Sequence, residues 1–459
     1  YGGSVSCAGD VDGDGLSDLV VGAFAFDGAH VDEGRAFLYR GVARNLRTTA
    51  SWVKDYPTRD HISQERVACA LGDWNGDGYS DLAVGDTFHG SGVGKVDVYF
   101  GSAHGLPSAP DWTATGAGPN RFFGAHLSTA GDVNGDHYED LLISAPSFIR
   151  YDSPTNEGRV YLFFGGPNGL PASPSQELHE FGSDGFGRSI DGGGDINGDG
   201  YADIIVGEPN YDDDRGRVNV YAGSPDGVVN LLSIGMPVVG RDFFGYSVSF
   251  AGDVNGDGYD DIVAGTPLAS AGGATVGRVD LYYGGASPDR ASDWHMYGTL
   301  DRGFLGYSVA GIGDVDGDGR SEFAVGSPGR GWLDAYERGQ VTVFGRTGNT
   351  MFTRFVRYGQ NMGDSFGANV QAAGDINGDG RGDLLVGAPH WDYGDGYQPW
   401  HGRAYLYYAP FEDPGTPGWV ASGQEAHEQV GMSLAGRGDV DGDGNLDIAI
   451  VRQSGSDDH

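Results

Sequence analysis

The segment Asp10–Asp18 reads D-V-D-G-D-G-L-S-D and places carboxylates at its first, third, fifth and ninth positions: Asp10, Asp12, Asp14 and Asp18. Oxygen donors at alternate positions around a tight turn suit a hard cation. Calcium is favoured over magnesium, which keeps its waters and demands near-ideal octahedral geometry. The seventh position, Leu16, can add a backbone carbonyl. Loops two to four offer the same set as Asp73, Asn75, Asp77, Tyr79 and Asp81, then Asp132, Asn134, Asp136, Tyr138 and Asp140, then Asp195, Asn197, Asp199, Tyr201 and Asp203. Loops five and six supply Asp253, Asn255, Asp257, Tyr259 and Asp261, then Asp314, Asp316, Asp318, Arg320 and Glu322. Loops seven and eight supply Asp375, Asn377, Asp379, Arg381 and Asp383, then Asp439, Asp441, Asp443, Asn445 and Asp447, so up to eight calcium ions are expected. Glycines at positions four and six allow the sharp turn that brings alternate side chains together. In the third loop His137 replaces the second of these glycines, where a positive φ is expected, so this site should be the weakest. Loops one, six and eight carry four carboxylates rather than three and should bind most tightly.

The elements that position these loops follow from their spacing. Successive copies begin 63, 59, 63, 58, 61, 61 and 64 residues apart. A near-fixed period of this size marks a repeat architecture. In the fifth copy residues 244–252 alternate as a strand, the loop follows, and residues 261–267 form a second strand that ends at a proline. A third strand spans 277–285 and a weaker fourth segment lies near 293–297. Four short antiparallel strands per repeat make a blade of an all-β propeller, with repeats at about 1–62, 63–121, 122–184, 185–242, 243–303, 304–364, 365–428 and 429–459 in one domain. The glycine that opens the third strand recurs at Gly34, Gly94, Gly158, Gly216, Gly277, Gly339 and Gly402, seven times against eight loops. The eighth repeat therefore lacks its outer strands. Two counts remain open: eight blades with the last incomplete, or seven blades plus a surplus strand pair. An incomplete blade would expose the edge of 447–451, which another chain could complete.

The phrases running from Phe123-Gly124 to Ala145-Pro146, from Phe186-Gly187 to Glu208-Pro209 and from Phe366-Gly367 to Ala388-Pro389 resemble FG-GAP repeats, the blades of the integrin alpha-subunit propeller. The resemblance covers essentially the whole chain. The wording of residues 32–39 is similar to secreted or surface FG-GAP proteins of bacteria. It implies a calcium loop within a β-hairpin and an extracellular or cell-surface location. The first, second and eighth copies depart from the phrase, at Tyr1-Gly-Gly, Glu65-Arg-Val and Gln429-Val-Gly. Terminal repeats are often atypical because they cap or close the array. An EF-hand is excluded because the twelfth position of the first loop, Val21, falls in a strand.

The formal charge of −37 is largely local, since 27 of the 65 acids occupy loop ligand positions. The other 38 acids stand against 28 bases. Nucleic acid needs a basic face and is not an expected partner. Cys7 and Cys69 precede neighbouring loops, so they form either one bridge or two buried thiols. No apolar run approaches the ~18 residues of a membrane span. The chain carries no signal peptide and starts inside a repeat, as a mature or trimmed chain would.

Motifs for a serine hydrolase elbow, a zinc protease or a P-loop are absent from the sequence. A noncatalytic binding, adhesion or surface-assembly module is the leading expectation. The alternatives are a propeller attached to a polysaccharide- or lipid-acting enzyme, or a lectin-like sugar binder. A protein or glycan ligand is expected on the face opposite the loops, where aromatic residues crowd the longest connections: Trp332, Tyr336, Trp391, Tyr393, Tyr397 and Trp400. Arg381-Gly382-Asp383 spells an adhesion tripeptide, but Asp383 is already claimed by the seventh loop.

Overall fold

The computed structural model describes residues 69–87, 89–117, 122–146, 157–179, 185–236, 240–329, 338–392, 401–411 and 417–422, with shorter stretches of 4–55 and 430–450. Seven four-stranded antiparallel sheets recur along these residues, followed by a two-stranded pair, Leu434–Gly438 with Asp447–Ile450; two further two-stranded hairpins are short. In the fifth sheet Ser247–Gly252, Asp261–Thr266, Arg278–Tyr282 and Trp294–Tyr297 lie side by side in chain order. The second strand of a sheet has neighbours on both sides and sheets above and below it. It therefore reads as a continuous apolar run, as in Asp140–Ala145 or Asp203–Glu208, and every residue of each is buried. Fourth strands such as Trp294–Tyr297 are only partly buried.

The first strands follow one another around a circle, and Leu434–Gly438 of the last pair lies beside both Asn369–Gly374 and Ser4–Cys7. This is the arrangement of a β-propeller. Cores form between consecutive sheets. Between the fourth and fifth, Phe244, Val248, Ile262 and Ala264 pack on Ile205, Val218 and Val220.

The recurring Phe-Gly phrase builds the seam between sheets. Phe244 makes a parallel bridge to Gly216 of the preceding sheet. Gly245, at φ +79°, donates its N–H to Gly265 O at 3.0 Å. Its carbonyl accepts from Ser189 Oγ of the preceding sheet at 3.0 Å and lies against Gly207, where a Cβ would overlap it. Ser247 repeats the contact on Gly306 O and Ser308 on Gly367 O. Farther out, Trp52 Nε1 donates to Pro107 O and Trp112 Nε1 to Pro171 O, each tying an outer strand to the next sheet.

At the other end of each first strand the ladder shifts register, between Phe250 and Gly252 in the fifth sheet and at the matching points of the third, fourth, sixth and seventh. The bulge sets Gly252 opposite Asp261, the ninth loop residue, at the start of the second strand. Gly207→Ala should destabilise the protein by about 1–3 kcal/mol through overpacking of the seam. Gly235→Ala, where a Cβ meets open space, should stay within about 0.5 kcal/mol. Urea denaturation measures both, and equal losses at the two sites would contradict the seam.

Candidate metal centre

Loops two to seven share one backbone design, and the fourth loop shows it. The Asp195 carboxylate accepts the N–H groups of Gly198, Asp199 and Gly200 at 2.7, 3.2 and 3.0 Å. Asn197 Oδ1 accepts from Asp199 N, its Nδ2 donates to Asp199 Oδ2, and Asp199 Oδ1 accepts from Tyr201 N. Gly198 and Gly200 adopt φ of +73° and +86°, so the glycines meet the turn requirement. His137 is held at φ +74° in the corresponding place of the third loop, its N–H donating to Asp132 Oδ2 at 2.8 Å. The loops are thus folded around their own acids, with side-chain oxygens turned inward before a cation contributes.

The ninth-position acid has a role that the sequence does not announce. Asp203 is fully buried. Its Oδ2 accepts from Ile196 N at 2.8 Å, and its Oδ1 accepts from Gly223 N, just past the third strand, at 2.8 Å. One carboxylate therefore fixes the loop to the end of the third strand. Asp81, Asp140, Asp261 and Asp383 make the same pair of bonds. Burial pushes these acids up, to about 8 for Asp81, about 7 for Asp140 and Asp261, and about 6 for Asp203 and Asp383. The backbone hydrogen bonds act in the opposite direction, while the carboxylates at positions one and five raise them further. A divalent cation between those carboxylates would favour the ionised form of all of them.

Neighbouring loops are joined through their backbones. The N–H at position eight of one loop donates to the position-one carbonyl of the loop before it: Ser80 to Asp10, Ala202 to Asp132, Asp260 to Asp195 and Ser321 to Asp253, at 2.8–3.1 Å. A residue beyond the third strand of the second to fifth sheets donates to the position-two carbonyl of the preceding loop, as Ser224 does to Val133 and Gly285 to Ile196. The seventh-position side chain also leans on the previous loop. The rings of Tyr138, Tyr201 and Tyr259 lie where a Cβ on Gly76, Gly135 or Gly198 would be. The sequence pointed only to the seventh-position carbonyl. The recurring tyrosine was the available sign of this second role.

The sixth loop differs in two ways. Its ninth residue is the longer Glu322, whose Oε2 accepts from Val315 N at 2.9 Å while Oε1, fully buried, has no protein partner. Carboxylate oxygens of Asp314, Asp316 and Glu322 lie within 4.8 Å of one another. Three convergent carboxylates fit a divalent cation. Burial pushes Glu322 up to about 7. The second difference is a guanidinium from the outer strand Thr350–Tyr358, that of Arg354, which pairs with Asp316.

Positions 13–18 of loop one, 439–446 of loop eight, and Trp332, Tyr336, Tyr393, Tyr397 and Trp400 lie outside the described residues, as do the side chains of Cys7 and Cys69 and hence the expected bridge. Trp391 is buried, 4% exposed, with the Arg403 guanidinium 3.3 Å from its ring centroid. It belongs to the packing of the seventh sheet rather than to an exposed rim. Asp383 is likewise inaccessible, so Arg381-Gly382-Asp383 is no exposed adhesive tripeptide. On the face away from the loops Ser365 Oγ lies 2.7 Å from His390 Nδ1. Ser365 has φ +54° and occupies the turn position held elsewhere by Phe122, Phe243 and Phe304 at +54° to +59°, so the turn rather than catalysis accounts for its backbone. Burial lowers His390 to about 4.

Comparison with known proteins places this geometry. The FG-GAP repeat model matches residues 2–39, 123–163, 186–223, 244–282, 305–344 and 366–401. Phosphatidylinositol-glycan-specific phospholipase D of Bos taurus is 33% identical over 235 residues, covering 46% of this chain and 27% of that protein. The Homo sapiens phospholipase of the same name is 31% identical over 298 residues, covering 58% of this chain and 34% of its own length. Integrin alpha-PS2 of Drosophila melanogaster is 34% identical over 209 residues, covering 42% and 14%. The matched segments thus span about a third or less of these relatives.

Two outcomes follow from the loops. Each ninth-position acid of loops two to seven has a folded-state pKa above its unfolded value of about 4. Its stabilising contribution is complete below that unfolded value and is lost as pH rises through about 6 to 8. In chelator the melting temperature should therefore fall from about pH 5 to about pH 8, and a rise would contradict the burial of these acids. His137→Gly should stabilise the protein by about 1 kcal/mol in urea denaturation by removing a left-handed non-glycine residue; destabilisation would show that the imidazole is needed there.

Proposed function

The chain belongs to the FG-GAP repeat family, and we propose that it is a noncatalytic, extracellular binding or adhesion propeller braced by calcium on one face. The observation that carries the calcium reading is the sixth loop, where carboxylate oxygens of Asp314, Asp316 and Glu322 come within 4.8 Å of one another. In each described loop the acids at positions one, five and nine, the side-chain oxygen at position three and the seventh-position carbonyl would hold the ion. Calcium would neutralise their mutual repulsion there. The inter-loop backbone bonds would carry the resulting order from sheet to sheet. At free calcium near 100 times its dissociation constant, one site contributes roughly 2.7 kcal/mol. Extracellular modules bind calcium at around 0.1–1 mM, which supports a secreted or cell-surface location. Among the described residues no helix is long and apolar enough to cross a membrane.

A protein or glycan partner would meet the opposite face. The loop face is committed to its ions and its stitching, while second-turn connections on the other side differ in length and sequence from repeat to repeat. The two-stranded last sheet offers a second mode, completion of Asp447–Ile450 by a strand of another chain. Similarity to phosphatidylinositol-glycan-specific phospholipases favours one further reading, a propeller that serves a lipid-acting enzyme without performing the reaction itself.

Removal of calcium at neutral pH should lower the melting temperature by several degrees, and an unchanged value would refute the calcium brace. A screen over glycans and surface proteins, run with calcium and with chelator below the melting temperature, should give binding that chelator leaves in place. Turnover of glycosylphosphatidylinositol by this chain alone would overturn the noncatalytic reading.

A further inference from the structure

We propose that Arg354 is a built-in counter-cation that sets the calcium response of the sixth loop, making a site with four carboxylates behave like one with three. The inference rests on the calcium reading above. In the second, third, fourth, fifth and seventh loops position three is a neutral asparagine, whose amide donates to the position-five carboxylate. The sixth loop has Asp316 there instead. Asp316 Oδ1 accepts from Asp318 N at 3.0 Å, as the asparagine oxygen does in the second, third, fourth and seventh loops, and Oδ2 takes the Arg354 guanidinium where the amide would be. An Asp316–Arg354 pair carries the same net charge as an asparagine. The loop is left with three uncompensated acids, Asp314, Asp318 and Glu322.

The contact is not a loose surface pair. Arg354 and Asp316 are 16% and 18% exposed. Arg354 comes from the longest fourth strand among the described sheets, Thr350–Tyr358, which pairs with an equally extended third strand from Gln340↔Tyr358 to Thr347↔Thr350. The intervening strand presents Gly345 beside Glu322, and a side chain there would press on the glutamate. The same extension pairs Gly345 with Phe352, and Glu322 Oε1 has no protein hydrogen bond. Without calcium the guanidinium offsets acid–acid repulsion. With calcium it repels the ion and competes for Asp316 Oδ2.

The test is peptide-resolved hydrogen exchange of the full chain across a series of free calcium concentrations, which reads each loop separately. The midpoint for the peptide containing 314–322 should fall about tenfold in Arg354→Met, with the other loops unmoved. Arg354→Lys keeps the charge and should stay within about threefold of the parent, separating charge from outer-strand packing. Asp316→Asn alone leaves Arg354 without its carboxylate and should raise the midpoint, whereas the Asp316→Asn, Arg354→Met pair should return it to the parent value. An unchanged sixth-loop midpoint in Arg354→Met, with the other loops responding normally, overturns the role of Arg354. Absence of a calcium response in every loop overturns the calcium reading itself.

Discussion

A carboxylate at the ninth loop position, sealed from water at the start of the second strand in loops two to seven, is the constraint on which the rest depends. A buried charge is costly unless it is satisfied, and here two backbone N–H groups from distant points of the repeat satisfy it. The same bonds decide where the loop closes and where the third strand ends. They also leave the acid suspended between two states, since burial raises its pKa to between about 6 and 8 while its loop presents further carboxylates to it. The loop closes through its own hydrogen bonds, yet carries an electrostatic load that a cation would remove.

That load is shared around the ring. Position-eight amides donate to the carbonyls of the previous loop, and seventh-position rings cover its glycines. A disturbance in one loop therefore meets its neighbour within a few bonds. The opposite end of the fourth, fifth and sixth sheets is held differently, by glycine–glycine approach and a serine hydroxyl on a carbonyl, with no ionisable group in that contact. One face of the propeller gathers the acids that a cation would tune, and the seam on the other is held by shape. This asymmetry is the physical reason to look for a partner on the shape-fixed face.

Much of this was legible in the sequence because the repeat displays each rule many times. Asp, Asn and Gly at fixed offsets announced the loops, and the positive φ at His137 followed from the glycines aligned with it. Strand order followed from short apolar runs between turn residues. Other features depend on neighbours distant in sequence. Nothing near Asp316 marks Arg354, which lies 38 residues farther on and two strands outward. The four carboxylates of the sixth loop suggest a tighter site in the sequence, where that pairing is not visible. Trp391 looked like a rim aromatic from composition, yet Arg403 covers it. The Phe-Gly phrase was readable as a signature, while its cause, a carbonyl against the preceding sheet's glycine, requires two repeats in place.

The most direct test of the calcium brace is hydrogen exchange at the amides that join loops, those of Ala202, Ser224, Asp260, Gly285 and Ser321, before and after calcium is removed. The account predicts that these amides lose protection together, while Gly245, Gly306 and Gly367 on the other face keep theirs. Protection at the inter-loop amides that is indifferent to calcium would contradict it.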